Sequence, residues 1–64
     1  MTRIRRGGYI FVLWRGDHDP RHVHVFKDAR LLGKWNLDAD CLMSGCVSPH
    51  AVGLIHALSR EGKL

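Results

Sequence analysis

Hydrophobic and polar positions along this chain form three short segments of one kind and a longer one of another. Residues 9–14, Tyr-Ile-Phe-Val-Leu-Trp, are apolar at every position. Six residues suit a strand rather than a helix, and a run apolar in both phases is a strand with something to bury on both faces. Residues 21–27 alternate: Val23 and Val25 fall on one side, His22, His24 and Phe26 on the other. Residues 31–37 alternate again, with Leu31, Gly33, Trp35 and Leu37 in one phase and Leu32, Lys34 and Asn36 in the other. Gly7-Gly8 punctuates the chain before the first segment. Gly16-Asp17 and Asp19-Pro20 mark a turn after it, and Asp28-Ala29-Arg30 makes a short connection between the second and third.

The period changes after residue 47. Serine is a good N-cap and proline is tolerated at the first helical position, so Ser48-Pro49 starts a helix. Ala51, Leu54, Ile55 and Leu58 then recur at helical spacing as one apolar stripe, although Gly53 weakens the element in its middle. Gly62 ends it, with Arg60 and Lys63 near its negative end. Residues 38–47 read as a loop. The connections between strands are too short for parallel crossovers. The expected fold is therefore α+β: a three-stranded antiparallel β-meander with one C-terminal α-helix packed on one face, in the order βββα, with residues 1–64 as a single domain.

One short helix covers only one face of such a sheet. The simplest register puts Val23, Val25, Trp35 and Leu37 beneath it, and Trp14 and Trp35 are expected to fill the core. The opposite face then displays His22, His24, Phe26, Lys34 and Asn36 beside one apolar row of the first strand. Each large apolar side chain left in water forgoes roughly 1.5–3 kcal/mol, so a ligand or a second subunit is expected there, and the chain is expected to form a homo-oligomer.

Composition narrows the class. Sixty-four residues, 45% hydrophobic and 25% charged, suit one small globular domain rather than a disordered tail. No run approaches the roughly 20 apolar residues of a membrane span. No charged start precedes a long apolar stretch and cleavage site, so the expected location is the cytoplasm. Cys41 and Cys46 are spaced for neither a zinc pair nor a wide disulfide loop, and are expected to be reduced and largely buried. Ten Lys and Arg against six Asp and Glu give a formal charge of +4, with Arg3, Arg5 and Arg6 forming a basic N-terminal arm. Such a surplus favours encounter with nucleic acid or an acidic protein.

The candidate chemistry concentrates in residues 17–25, where three of the five histidines fall within seven positions. His22 and His24 share a strand face. Three readings follow. In the first, the face acts on or binds nucleic acid, RNA before DNA, without a cofactor. His22 and His24 would be acid and base, Arg21 (or Lys34) the cation that stabilises the phosphorane, and Asp17 an orienting carboxylate. Arg3, Arg5, Arg6, Lys34, Phe26 and Asn36 would contact phosphates and bases. In the second, the same face is a non-catalytic protein interface. In the third, His18, His22 and His24, with Asp17 or Asp19, hold zinc or another divalent ion. His50 and His56 flank the helix stripe and receive no role.

At these residues the chain resembles a family of small bacterial proteins, number 4160 among the domains of unknown function. The matching pieces are Gly8-Tyr9-Ile10-Phe11, Asp17-His18, Pro20, His22-Val23-His24-Val25, Lys34-Trp35-Asn36-Leu37-Asp38 and Ser48-Pro49. Asp19 stands where the family usually has a first proline, and the family's final helix commonly runs a turn or two further. The resemblance implies one half of a two-gene module of the toxin-antitoxin kind, with a cognate protein encoded nearby and no membrane association. It attaches no firm activity to the histidine motif.

Overall fold

A computed structural model of the chain describes residues 2–14 and 21–64. Five strands precede one helix: β1 (Thr2–Arg6), β2 (Tyr9–Leu13), β3 (His22–Lys27), β4 (Arg30–Asn36), β5 (Cys41–Gly45) and α1 (Pro49–Arg60). All neighbouring pairs are antiparallel and the spatial order is the chain order. The expected three-stranded meander is thus corrected to a five-stranded sheet, with an extra strand at each edge.

Both edge strands have local causes. Gly7 and Gly8 take φ of 61° and 83° between the paired residues Arg6 and Tyr9. Two consecutive positive φ values make the two-residue hairpin turn whose twist matches antiparallel strands. The basic arm is therefore β1, folded back on β2. At the other edge Gly33 lies opposite Gly45. A Cβ on Gly45 would stand 2.3 Å from the Leu32 carbonyl oxygen, and one on Gly33 would stand 2.5 Å from that of Ser44. Two glycines let the backbones approach that closely. The stretch read as a loop thus contains β5, whose residues are all exposed. With no buried face, it has no hydrophobic alternation to betray it.

The helix starts and stops as its end residues dictate. The Ser48 side chain accepts a hydrogen bond from the Ala51 N–H at 3.2 Å, with proline next in the chain. At the far end Gly62 adopts φ 77°, the Gly62 N–H donates to Ser59 O at 3.1 Å and the Lys63 N–H to Leu58 O at 2.9 Å. Those two bonds form the paired closure that satisfies orphan carbonyls past a helix end. Ala51, Ile55 and Leu58 are buried against Tyr9, Phe11, Val23 and Val25. Ile4, Leu32, Trp35, Leu37 and Leu54 pack around that cluster. The Tyr9 hydroxyl and Ser48 Oγ hydrogen-bond at 3.0 Å, and the Arg6 guanidinium forks onto both Glu61 oxygens at 2.6 and 3.0 Å. The sheet is thereby tied to both ends of α1.

Two core assignments need correction. Trp14 is 46% exposed, because it follows Ile10 and Val12 in the phase that points away from the helix. Trp35, partly buried, does pack against the core cluster. Cys41 and Cys46 are exposed free thiols, not buried ones, because they sit on and just beyond an edge strand. Among the described residues no helix is long and apolar enough to cross a membrane.

Candidate functional site

Residues paired across antiparallel strands share a face, so the register maps the surface opposite the helix. One cross-strand row runs Arg3, Val12, His24, Lys34, Ser44. A second runs Arg5, Ile10, Phe26, Leu31. A third contains His22, Asn36 and Cys41. Neighbouring strands lie about 4.8 Å apart, so the first row separates its two cations, Arg3 and Lys34, by three strand spacings, about 14 Å. Val12 is buried, at 7% exposure, although it lies on the open face. Its cross-strand neighbours are the long Arg3 side chain, whose aliphatic stem can cover apolar surface while the guanidinium stays in water, and the half-buried His24 ring.

Three rings of the open face, His22, His24 and Trp14, lie in succession. His22 and His24 have centroids 5.3 Å apart with their planes at 56°. Trp14 meets His24 edge to face at 6.3 Å and 90°, an arrangement favoured by the ring quadrupoles. Trp14 is the site residue that sequence reasoning missed. Its signal was present, since it continues the two-residue phase of Ile10 and Val12.

The charge distribution is one-sided. The described carboxylates are Asp28, Asp38, Asp40 and Glu61, and none belongs to a strand. Asp38 accepts the Arg21 N–H at 2.9 Å, Asp40 serves the far side of the sheet, and Glu61 holds Arg6. The strand positions of the open face therefore carry Arg3, Arg5 and Lys34 with two imidazoles and no acid.

Several expected site residues separate from this group. Arg6 pairs with Tyr9 and Glu61 on the helix side, so it does not join Arg3 and Arg5. That contact holds the Glu61 carboxyl down at about 2, chiefly through the Arg6 hydrogen bond, and raises the guanidinium in turn. Arg21 precedes β3, is exposed, and is out of phase with His22 and His24 by one residue. Asn36 lies in the face, but its Oδ1 accepts the Ala39 N–H at 2.8 Å, which takes up one acceptor lone pair and fixes the amide's orientation, with its N–H groups as donors. Asp17, His18 and Asp19 lie outside the described residues. Among the described residues no three His, Cys, Asp or Glu side chains group as a metal site.

A second polar cluster lies towards the helix. Asp40, at φ 55°, accepts from Trp35 Nε1 at 3.2 Å, and its Oδ1 is 2.7 Å from His56 Nε2. The His56 hydrogen bond, ahead of that from Trp35, holds the Asp40 carboxyl below its ordinary value. His56 thus fastens the β4–β5 turn to α1, a role that no spacing in the sequence signalled.

Comparison of the chain with protein-family models, with curated proteins and with solved structures finds no match.

Proposed function

We propose that the open face of the sheet binds nucleic acid, RNA before DNA, and that the chain serves in the cytoplasm as the small basic half of a two-protein module of the toxin-antitoxin kind. The observation that carries the binding is the make-up of that face: Arg3, Arg5 and Lys34 around His22, His24 and Phe26, with no carboxylate on any described strand. Cations hold a polyanion through its phosphates, and rings accept its bases by stacking. The module and its nearby-encoded partner rest on the family resemblance of the histidine motif. The adjacency of His22 and His24 supplies an acid and a base should the bound RNA also be cleaved.

The second reading is a protein interface, as in a homo-oligomer. It is favoured by the row Ile10, Phe26, Leu31, which is apolar and ends in a leucine 48% exposed. A labelled RNA oligonucleotide titrated into the protein separates the two. Binding is expected for the native chain and lost in the double variant His22→Ala/His24→Ala, whose circular dichroism should stay native. RNA cleavage followed in the same samples tests the catalytic extension. A folded double variant that binds RNA as well as the native chain would remove the histidines from the site. Oligomerisation without RNA binding would favour the interface.

A further inference from the structure

The geometry points to an unpaired strand as the ligand, with one base stacked on Trp14 beside His24; this inference rests on the proposed nucleic-acid reading. Trp14 leaves 46% of its surface in water, an unusual exposure for the largest apolar side chain. It lies one residue beyond β2, in phase with Val12, and so stands at the border of the cationic row Arg3, Val12, His24, Lys34. Its ring is steadied by the edge-to-face contact with His24 at 6.3 Å and 90°. In a perpendicular pair the imidazole engages at most one face of the indole, so the contact with His24 does not use up both. An aromatic plane held in position, partly in water and bordering a row whose described strand positions carry cations and no acid, suits the π-face of a base whose phosphate meets Arg3.

That requirement selects the ligand. Inside a duplex the faces of the bases are already stacked on one another, and only unpaired bases can splay onto side chains. A duplex would gain the phosphate contacts of Arg3, Arg5 and Lys34 but not the Trp14 stack. Stacking accepts any base, so preference among sequences should be slight.

Titration of the native protein with an eight-nucleotide single-stranded RNA, the same sequence as DNA, and a matched RNA duplex tests this, with tryptophan fluorescence and anisotropy read together. Single strands should quench the emission on saturation and bind at least about tenfold more tightly than the duplex. Trp14→Ala should weaken single-strand binding by about 5- to 150-fold and leave duplex binding as it was. Trp14→Phe should restore most of the affinity without the quench, while Trp35 remains as an internal reporter of folding in both variants. Equal affinity for duplex and single strand, or native affinity in Trp14→Ala, would overturn the stacking assignment and leave the nucleic-acid reading standing. No binding to any of the three ligands would overturn both.

Discussion

Val23 and Val25 have no exposed surface beneath α1, while His22, His24 and Phe26, interleaved with them on β3, keep part of theirs on the opposite face. The same contrast repeats on β4 and, Val12 apart, on β2. Phe11 and Tyr9 are sealed under the helix, and Lys34 alternates with Trp35 and Gly33. Period-two geometry lets one set of strands satisfy two independent demands. The covered face meets the demand of stability: it is apolar, and its polar groups are used on one another, as in Tyr9 with Ser48 and Arg6 with Glu61. The open face keeps cations and rings with no acid at any described strand position. A surface whose only task was solvation would mix both signs of charge.

That division gives the largest expected effect. Phe11→Ala empties the centre of the covered face and should cost about 3–5 kcal/mol, comparable to the whole stability of a domain this small. Chemical denaturation should find it largely unfolded. The double change His22→Ala/His24→Ala on the open face of the adjacent strand should stay within about 1 kcal/mol of the native protein. Similar losses for the two would mean that both faces are structural.

The edge at β5 comes next. Gly45→Ala forces a side chain onto a backbone at φ 72° and into the Leu32 carbonyl. The left-handed backbone alone costs an L-residue about 1–2 kcal/mol, so a loss of about 2 kcal/mol or more is expected. Amide exchange should quicken first across residues 41–45. Protection unchanged there would show that β5 does not depend on the close approach.

Why β5 escaped the sequence while β3 did not follows from what each strand buries. β3 alternates valine with histidine because one face is sealed, and that alternation is visible in the letters. The strand residues of β5 touch no core, so Cys-Leu-Met-Ser-Gly carries no period, and its pairing depends on two glycines twelve positions apart. β1 does leave a trace in the letters: Gly7-Gly8 is a hairpin signal, and Thr2 and Ile4 alternate with Arg3 and Arg5. Three arginines in those five residues mask that alternation behind a run of charge. For the site, the alternation placed His22, His24, Phe26, Lys34 and Asn36 together. Which arginines joined them depended on β1 register, and Arg6 fell on the other face because it is one residue out of phase with Arg5.

Smaller effects sharpen the comparison at the turns and ends. Ala29 sits at φ 62° in the two-residue β3–β4 turn, a position glycine occupies without strain. Ala29→Gly should relieve about 1 kcal/mol of that strain against about 0.4–1 kcal/mol of added chain entropy in the unfolded state. A gain of a few tenths of a kcal/mol in thermal unfolding is expected, and a clear loss would count against the turn geometry.

The acid titration of Glu61 probes the covered side. Glu61 lies at about 2 when folded, against an ordinary 4.5. Its contribution is therefore complete above about 4.5 and is lost as pH falls from there through about 2. The pair is exposed and the effect small. Arg6→Ala should flatten this part of the stability profile, whereas Arg3→Ala should not.

The most direct test of the division between faces is the salt dependence of RNA binding in arginine variants. Each phosphate contact to a single strand contributes about 0.7 to the slope of log K against log salt. Arg3→Ala/Arg5→Ala should lower that slope by about 1.4 and weaken binding, while Arg6→Ala, on the helix side, should leave both unchanged. A slope indifferent to Arg3 and Arg5, or lowered equally per residue by loss of Arg6, would contradict the claim that the open face holds the nucleic acid.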